Sequence, residues 1–203
     1  MNNAGRWGWT SIATLVAIVM AGAAEAHTLG VAAAGFSAGL AHPLAGIDHL
    51  LAMIAIGLWS VQLAERSGRA SALYLVPAAF IAMMAAGGIA AMSGLPLPEV
   101  ETGILGSVIV LGLLITVAPQ MPVAAGMAIA GIFALFHGHA HGGEVPEAAS
   151  ATLYALGFLI ATAFLHGIGI ALGLVVQGGR SRLAGRLGGA GIAAAGVALY
   201  IFG

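Results

Sequence analysis

The sequence predicts an all-α, polytopic helical membrane protein: six transmembrane helices, with a short re-entrant or interfacial N-terminal segment following a signal peptide. Three observations carry that expectation. The 203 residues are 61% hydrophobic and only 6% charged, whereas a soluble domain carries about a quarter charged residues and needs them to cover its surface. Apolar runs of roughly 20 residues, the length that spans a bilayer, recur along the chain. The arginines cluster in alternate breaks between those runs, as a chain threading back and forth across a membrane requires.

The elements follow in order. Residues 1–26 read as a signal peptide, with Arg6 as its positive start, Trp7 to Met20 as its apolar stretch and Ala24-Glu25-Ala26 as a small-x-small cleavage site. An uncleaved first helix is the alternative. Cleavage after Ala26 would leave His27 at the new terminus, where α-amine and imidazole together form a bidentate metal chelate. A histidine without a role there is the other reading. Residues 27–203 then form one transmembrane domain, with apolar segments at 29–41, 44–64, 71–93, 102–118, 122–140, 149–177 and 183–202. The first is too short to span. Pro43 suits the first position of the helix after it, which puts His42 at that helix's mouth.

Orientation comes from the arginines. Arg66 and Arg69 occupy one break, and Arg180, Arg182 and Arg186 another; positive-inside bias places both in the cytoplasm. Glu99 with Glu101, and Glu144 with Glu147, occupy breaks on the other side. Six crossings satisfy all of these, provided that 29–41 begins and ends outside. Such a non-spanning piece is tolerated where protein covers it or it lines a cavity. Glycine pairs such as Gly169 with Gly173 and Gly185 with Gly189 would let helix backbones approach closely, a packing role.

The absence of cysteine excludes disulfides, thiolate metal sites and a cysteine nucleophile. Net charge is −1 and all six basic residues are arginine, with no basic patch for a nucleic acid. Metal chemistry must therefore use imidazole, carboxylate, thioether or backbone ligands, and two stretches gather them. In HPLAGIDH, residues 42–49, Asp48 heads an apolar run. A carboxylate there costs several kcal/mol and marks an ion pathway or a paired network; no arginine is expected on that side, and holding a histidine tautomer is the alternative role. His42 and His49 share a helical face but stand roughly 10 Å apart on a straight helix. Either the helix start is unwound, or the two mark successive stations.

In FHGHAHGGE, residues 136–144, His137, His141 and Glu144 form an i, i+4, i+7 stripe with the spacing of a two-imidazole chelate. His139 points the opposite way, and the glycines leave the helix end open. A histidine-rich loop that binds metals loosely is the plainer reading. The arginine topology brings both stretches to the outer side. Imidazole with carboxylate suits nickel, cobalt, zinc or copper(II). His166, mid-span, reads as a second station, a proton carrier or a hydrogen-bonded core histidine. Met53, one turn below His49, reads as packing.

His, five residues, then Asp-His, with FHGHAHGGE later in the chain, resembles the HupE/UreJ family of nickel permeases. The likeness extends to the signal peptide ending in Ala-His-Thr, the chain length and the span count, so it covers essentially the whole chain. It implies a multi-pass secondary permease of the bacterial inner membrane, mature N-terminus periplasmic, importing Ni2+ or in some members Co2+ for hydrogenase or urease maturation. The ion is cargo; no resident cofactor and no enzymatic activity are implied, and the expected partners are the divalent ion and the lipid bilayer. Residue by residue, the resemblance falls on His42, Asp48 and His49, and on Phe136, His137, His141 and Glu144. An acidic residue between the motifs that it also implies falls on Glu99. Imidazole must be neutral to bind metal and titrates near physiological pH, so protonation would assist release. Two rivals stand beside this reading. One is a membrane-embedded zinc-dependent hydrolase, for which Ser37 is the nearest serine to the first motif and Glu144 the only evident base. The other is a metal sensor or accessory protein that binds without transporting.

Overall fold

In hydrocarbon every backbone N–H and C=O must be bonded within the protein, so long apolar runs with no polar backbone partners fold as helices. The computed structural model describes residues 31–145, 150–177 and 182–203; the signal peptide, His27, Glu147 and Arg180 lie outside the described residues. The described chain is helical throughout: α1 (Val31–Ala45), α2 (Ile47–Ser67), α3 (Ala72–Met92), α4 (Val100–Val117), α5 (Val123–Gly143), α6 (Ala151–Gln177) and α7 (Arg182–Phe202). Helices α2 to α7 are each long and apolar enough to cross a membrane. They coincide with the six predicted spans, which makes the protein a polytopic helical membrane protein. Helix α1, at 15 residues, measures about 22 Å and falls short of a hydrocarbon core of about 30 Å.

One boundary differs from expectation. Pro43 does not open a span; it lies inside α1, and the chain breaks at Gly46, whose backbone is extended (φ −96°, ψ 120°). That single residue ends α1 and starts α2, because the Leu50 N–H already bonds the Gly46 carbonyl at 3.0 Å. Asp48 and His49 fold back over the break. A Cβ at position 46 would sit 2.8 Å from both Asp48 Oδ1 and His49 Cδ2, which is why glycine rather than proline marks the corner. His42 and His49 therefore belong to two helices and not to one straight face.

Helix α2 is the central post. Every residue from Ala52 to Leu63 except Ile54 is buried, around Trp59, Met53 and Ile56. It ends in a left-handed Gly68 (φ 68°), with the Arg69 N–H bonded to the Ala64 carbonyl at 3.2 Å, the usual way a glycine closes a helix. The outer helices turn Val117, Leu187, Tyr200 and Phe202 outward, as lipid-facing surfaces do. The two ends of the bundle differ in charge. Arg66, Arg182 and Arg186 line one small cleft with Glu65, where the Arg182 guanidinium donates to Glu65 Oε1 at 2.8 Å. At the other end His139 Nε2 donates to the Leu95 carbonyl at 2.8 Å, joining the α3–α4 connection, just before Glu99 and Glu101 at the start of α4, to the end of α5 that carries Glu144.

Glycines set how closely the helices pack. A side chain at Gly57 of α2 would overlap the His166 carbonyl of α6, and one at Gly169 would overlap the Ile54 carbonyl in return. Gly138 and Gly142 of α5 do the same against the Met84 and Gly88 carbonyls of α3. Such approaches replace a hydrophobic driving force that lipid cannot supply. The glycines of the second histidine stretch are therefore packing surfaces, and α5 stays helical through Gly143. We expect Gly138→Ala to lower the melting temperature in detergent, at a cost of about 1–3 kcal/mol from overpacking. Gly106→Ala, where an added methyl meets nothing within 4 Å, should be neutral or stabilise by up to about 1 kcal/mol.

Candidate metal centre

With Gly138 and Gly142 pressed against α3, the residues before them, His137 and His141, are turned about 100° round α5 toward the bundle axis. The break at Gly46 brings His42 from α1 and His49 from α2 to the same place. His49 Nδ1 lies 2.9 Å from His137 Nδ1; His42 Nε2 and His141 Nδ1 lie 3.0 and 3.2 Å from one oxygen of Glu144. The ring of His141 sits between those of its neighbours, its centroid 4.7 Å from His42 and 4.2 Å from His49. Residues 88 and 102 positions apart in sequence thus meet, as the arginine topology implied.

Among the described residues two three-ligand groups result. Ligand atoms of His49, His137 and His141 lie within 4.8 Å of one another, and so do those of His42, His141 and Glu144. Around an ion with bonds of about 2.1 Å, neighbouring ligands stand roughly 3 Å apart and opposite ones roughly 4 Å, so each group closes on an ion with small side-chain movements. His141 belongs to both groups. Exposure falls from mouth to interior: the Glu144 side chain is 55% exposed, His42 31% and His141 4%, while His137 is fully buried. The helix start is broken at Gly46, and the two imidazoles fall in different groups.

Hydrogen bonds fix the tautomers. The single proton of Ser107 goes to the Ile104 carbonyl at 2.6 Å, so its oxygen accepts from His137 Nε2–H at 2.9 Å. The lone pair of neutral His137 is then on Nδ1, facing His49, whose Nδ1–H it accepts. A carboxylate can only accept, so His141 gives Nδ1–H to Glu144 and keeps its lone pair on Nε2. That Nε2 is buried with no hydrogen-bond partner. His141 is thus held from behind with its other lone pair free, the usual outer support of a metal-ligating imidazole. Phe158 packs on the His141 ring at 4.3 Å between centroids.

The remaining expected residues are placed as follows. Asp48 is in neither group: its Oδ1 accepts the His49 N–H at 2.8 Å and lies 4.0 Å from His49 Nδ1. It satisfies one of the free N–H groups that open α2, with its charge at the positive end of the helix dipole. Glu99 also joins neither group. It caps α4 with a left-handed backbone (φ 56°) and accepts the Thr102 hydroxyl at 2.8 Å. His139 faces Leu95, away from the cluster, as its position two residues from His137 predicts. His166 is buried one level deeper. Ser107 was invisible in the sequence, since a serine within an apolar helix satisfies itself on a preceding carbonyl and leaves no pattern. Beside His141 lies an apolar cavity of about 240 Å³, walled by Met84, Gly88 and Met92 of α3 and Tyr154 and Phe158 of α6.

The family described as HupE / UreJ protein matches residues 15–199. Protein HupE of Rhizobium leguminosarum bv. viciae is 42% identical over 188 residues, 93% of this chain and 95% of that protein. No solved structure matches the chain. Because His141 serves both groups, His141→Ala should weaken nickel binding more than His42→Ala does. Ser107→Ala, which leaves His137 unsupported, should weaken it by about 10-fold or more; calorimetric titration of the purified protein measures all three.

Proposed function

The chain belongs to the HupE/UreJ family, and from that premise we propose that it is a secondary transporter importing a divalent transition-metal ion, Ni2+ or Co2+, for metalloenzyme maturation. In this reading it resides in the bacterial inner membrane with the histidine-bearing end periplasmic and the arginine-bearing end cytoplasmic. Residues 1–26 act as the signal peptide. The ion is cargo, no resident cofactor takes part, and the protein is not an enzyme.

The observation that carries the proposal is the sharing of His141. An ion first loses part of its hydration shell to Glu144, His42 and His141, the more exposed group. It then exchanges Glu144 and His42 for His49 and His137, with His141, the residue common to both groups, turning its free Nε2 to the ion. Three imidazole or carboxylate ligands leave coordination positions to water, which keeps the ion exchangeable where a closed four-ligand cage would retain it. Asp48 adds negative charge beside His49 and holds the start of α2 in place.

The zinc-hydrolase reading draws support from Ser107 and from the apolar cavity beside His141. Against it, Ser107 is engaged with His137 Nε2, the nitrogen turned away from His49, and its proton is already committed to a carbonyl. Cells expressing the intact chain should accumulate radiolabelled nickel, and Asp48→Asn should reduce uptake about 10-fold or more. Asparagine keeps the oxygen that accepts the His49 N–H, so the loss reports charge rather than an unravelled helix. Competition by cobalt and zinc ranks the ions. Failure of the intact chain to move any of them removes the permease reading, and lipid turnover by the purified protein would then favour the hydrolase.

A further inference from the structure

His166 is 1% exposed, and neither of its ring nitrogens has a hydrogen-bond partner. Leaving a buried donor and acceptor unpaired is costly, and buried side-chain polar atoms are almost always paired. The reading of His166 as a hydrogen-bonded core histidine therefore fails. Its surroundings suggest another use. The ring stands edge-on to Phe80, centroids 5.2 Å apart at 88°, and Phe80 meets His137 at 5.8 Å. Phe80 is fully buried and touches an imidazole of the metal centre and the imidazole below it.

Depth follows from packing. The His166 carbonyl lies against Gly57, eight residues along α2 from His49, or roughly 12 Å further into the bundle. Helix α6 connects the two levels with a buried stripe at i, i+4, i+8: Phe158 against His141, Thr162, whose hydroxyl points to Met84 Sδ at 3.9 Å, then His166. Side chains on a helix lean toward its N-terminus, so on α6 the His166 ring leans back toward the metal centre.

We propose that His166 is an inner way-station for the transported divalent ion, separated from the His49–His137–His141 group by the Phe80 ring, which acts as the gate between them. The proposal rests on the transport reading above. The ion leaving His137 passes the swung-aside Phe80 ring and is taken up by His166, with Thr162 and Met84 supplying an oxygen and a thioether on the way. With no partner on either ring nitrogen, His166 has a lone pair free to receive the ion.

The test uses full-length protein in liposomes, with nickel influx, nickel affinity by calorimetry and melting temperature measured for the unmodified chain, His166→Leu and Phe80→Leu. His166→Leu should lose influx by about 10-fold or more, while affinity at the outer groups and melting temperature hold or rise, because no hydrogen bond is lost. Phe80→Leu, with a smaller gate, should speed influx at unchanged affinity. Unchanged influx in His166→Leu beside normal influx in the unmodified chain overturns the way-station alone. Influx lost together with melting temperature or outer affinity overturns it too, since His166 would then be structural. Influx absent from the unmodified chain removes the transport reading and this inference with it.

Discussion

The close approach of α5 to α3 is the constraint on which the site depends. Gly138 and Gly142 lie against backbone carbonyls of α3 with no room for a methyl group, which fixes the rotation of α5 about its own axis. That rotation aims His137 and His141 at the axis and sends His139 to the rim. A histidine-rich segment free of this contact would bind metal ions loosely and in many arrangements. Here the smallest side chains in the motif set where its largest ones point.

The second constraint is the corner at Gly46. A continuous helix from residue 31 to residue 67 would have spread His42 and His49 along about 10 Å of one face. Breaking it in a single extended residue lets two short backbones contribute one imidazole each, from different directions, to the same histidine of α5. The corner is held by Asp48 and by the tight contacts of α1 with α6, where Gly39 meets the Tyr154 carbonyl and Gly157 the Phe36 carbonyl. Structural and electrostatic duties fall on the same carboxylate, at the head of an otherwise apolar helix.

Much of this was legible in the sequence and some was not. Hydropathy located the six spans, because span length is set by the bilayer rather than by tertiary contacts. The arginines then brought two distant motifs to one end, and the i, i+4 spacing of His137 and His141 survived because α5 stays helical. The break at Gly46 was misplaced by three residues: proline is the louder signal, yet the decisive factor was the space that Asp48 and His49 need above position 46. Ser107 and Phe80 were silent, since a hydroxyl bonded to its own helix and a phenyl ring in an apolar run resemble ordinary core. Their importance lies in what they touch across 30 and 57 residues of chain, which no local pattern encodes.

The depth of His166 has an electrical meaning. Roughly 12 Å separates its level from that of His49, about two fifths of a hydrocarbon core near 30 Å. One elementary charge crossing a full membrane at 100 mV gains about 2.3 kcal/mol, so a doubly charged ion moving between these levels gains about 1.8 kcal/mol in the proposed orientation. That alone favours the inner position by about 20-fold. An interior-negative potential would thus pull cargo inward without any second ion, and a protein this small would need little more than two ligand clusters at different heights in the field.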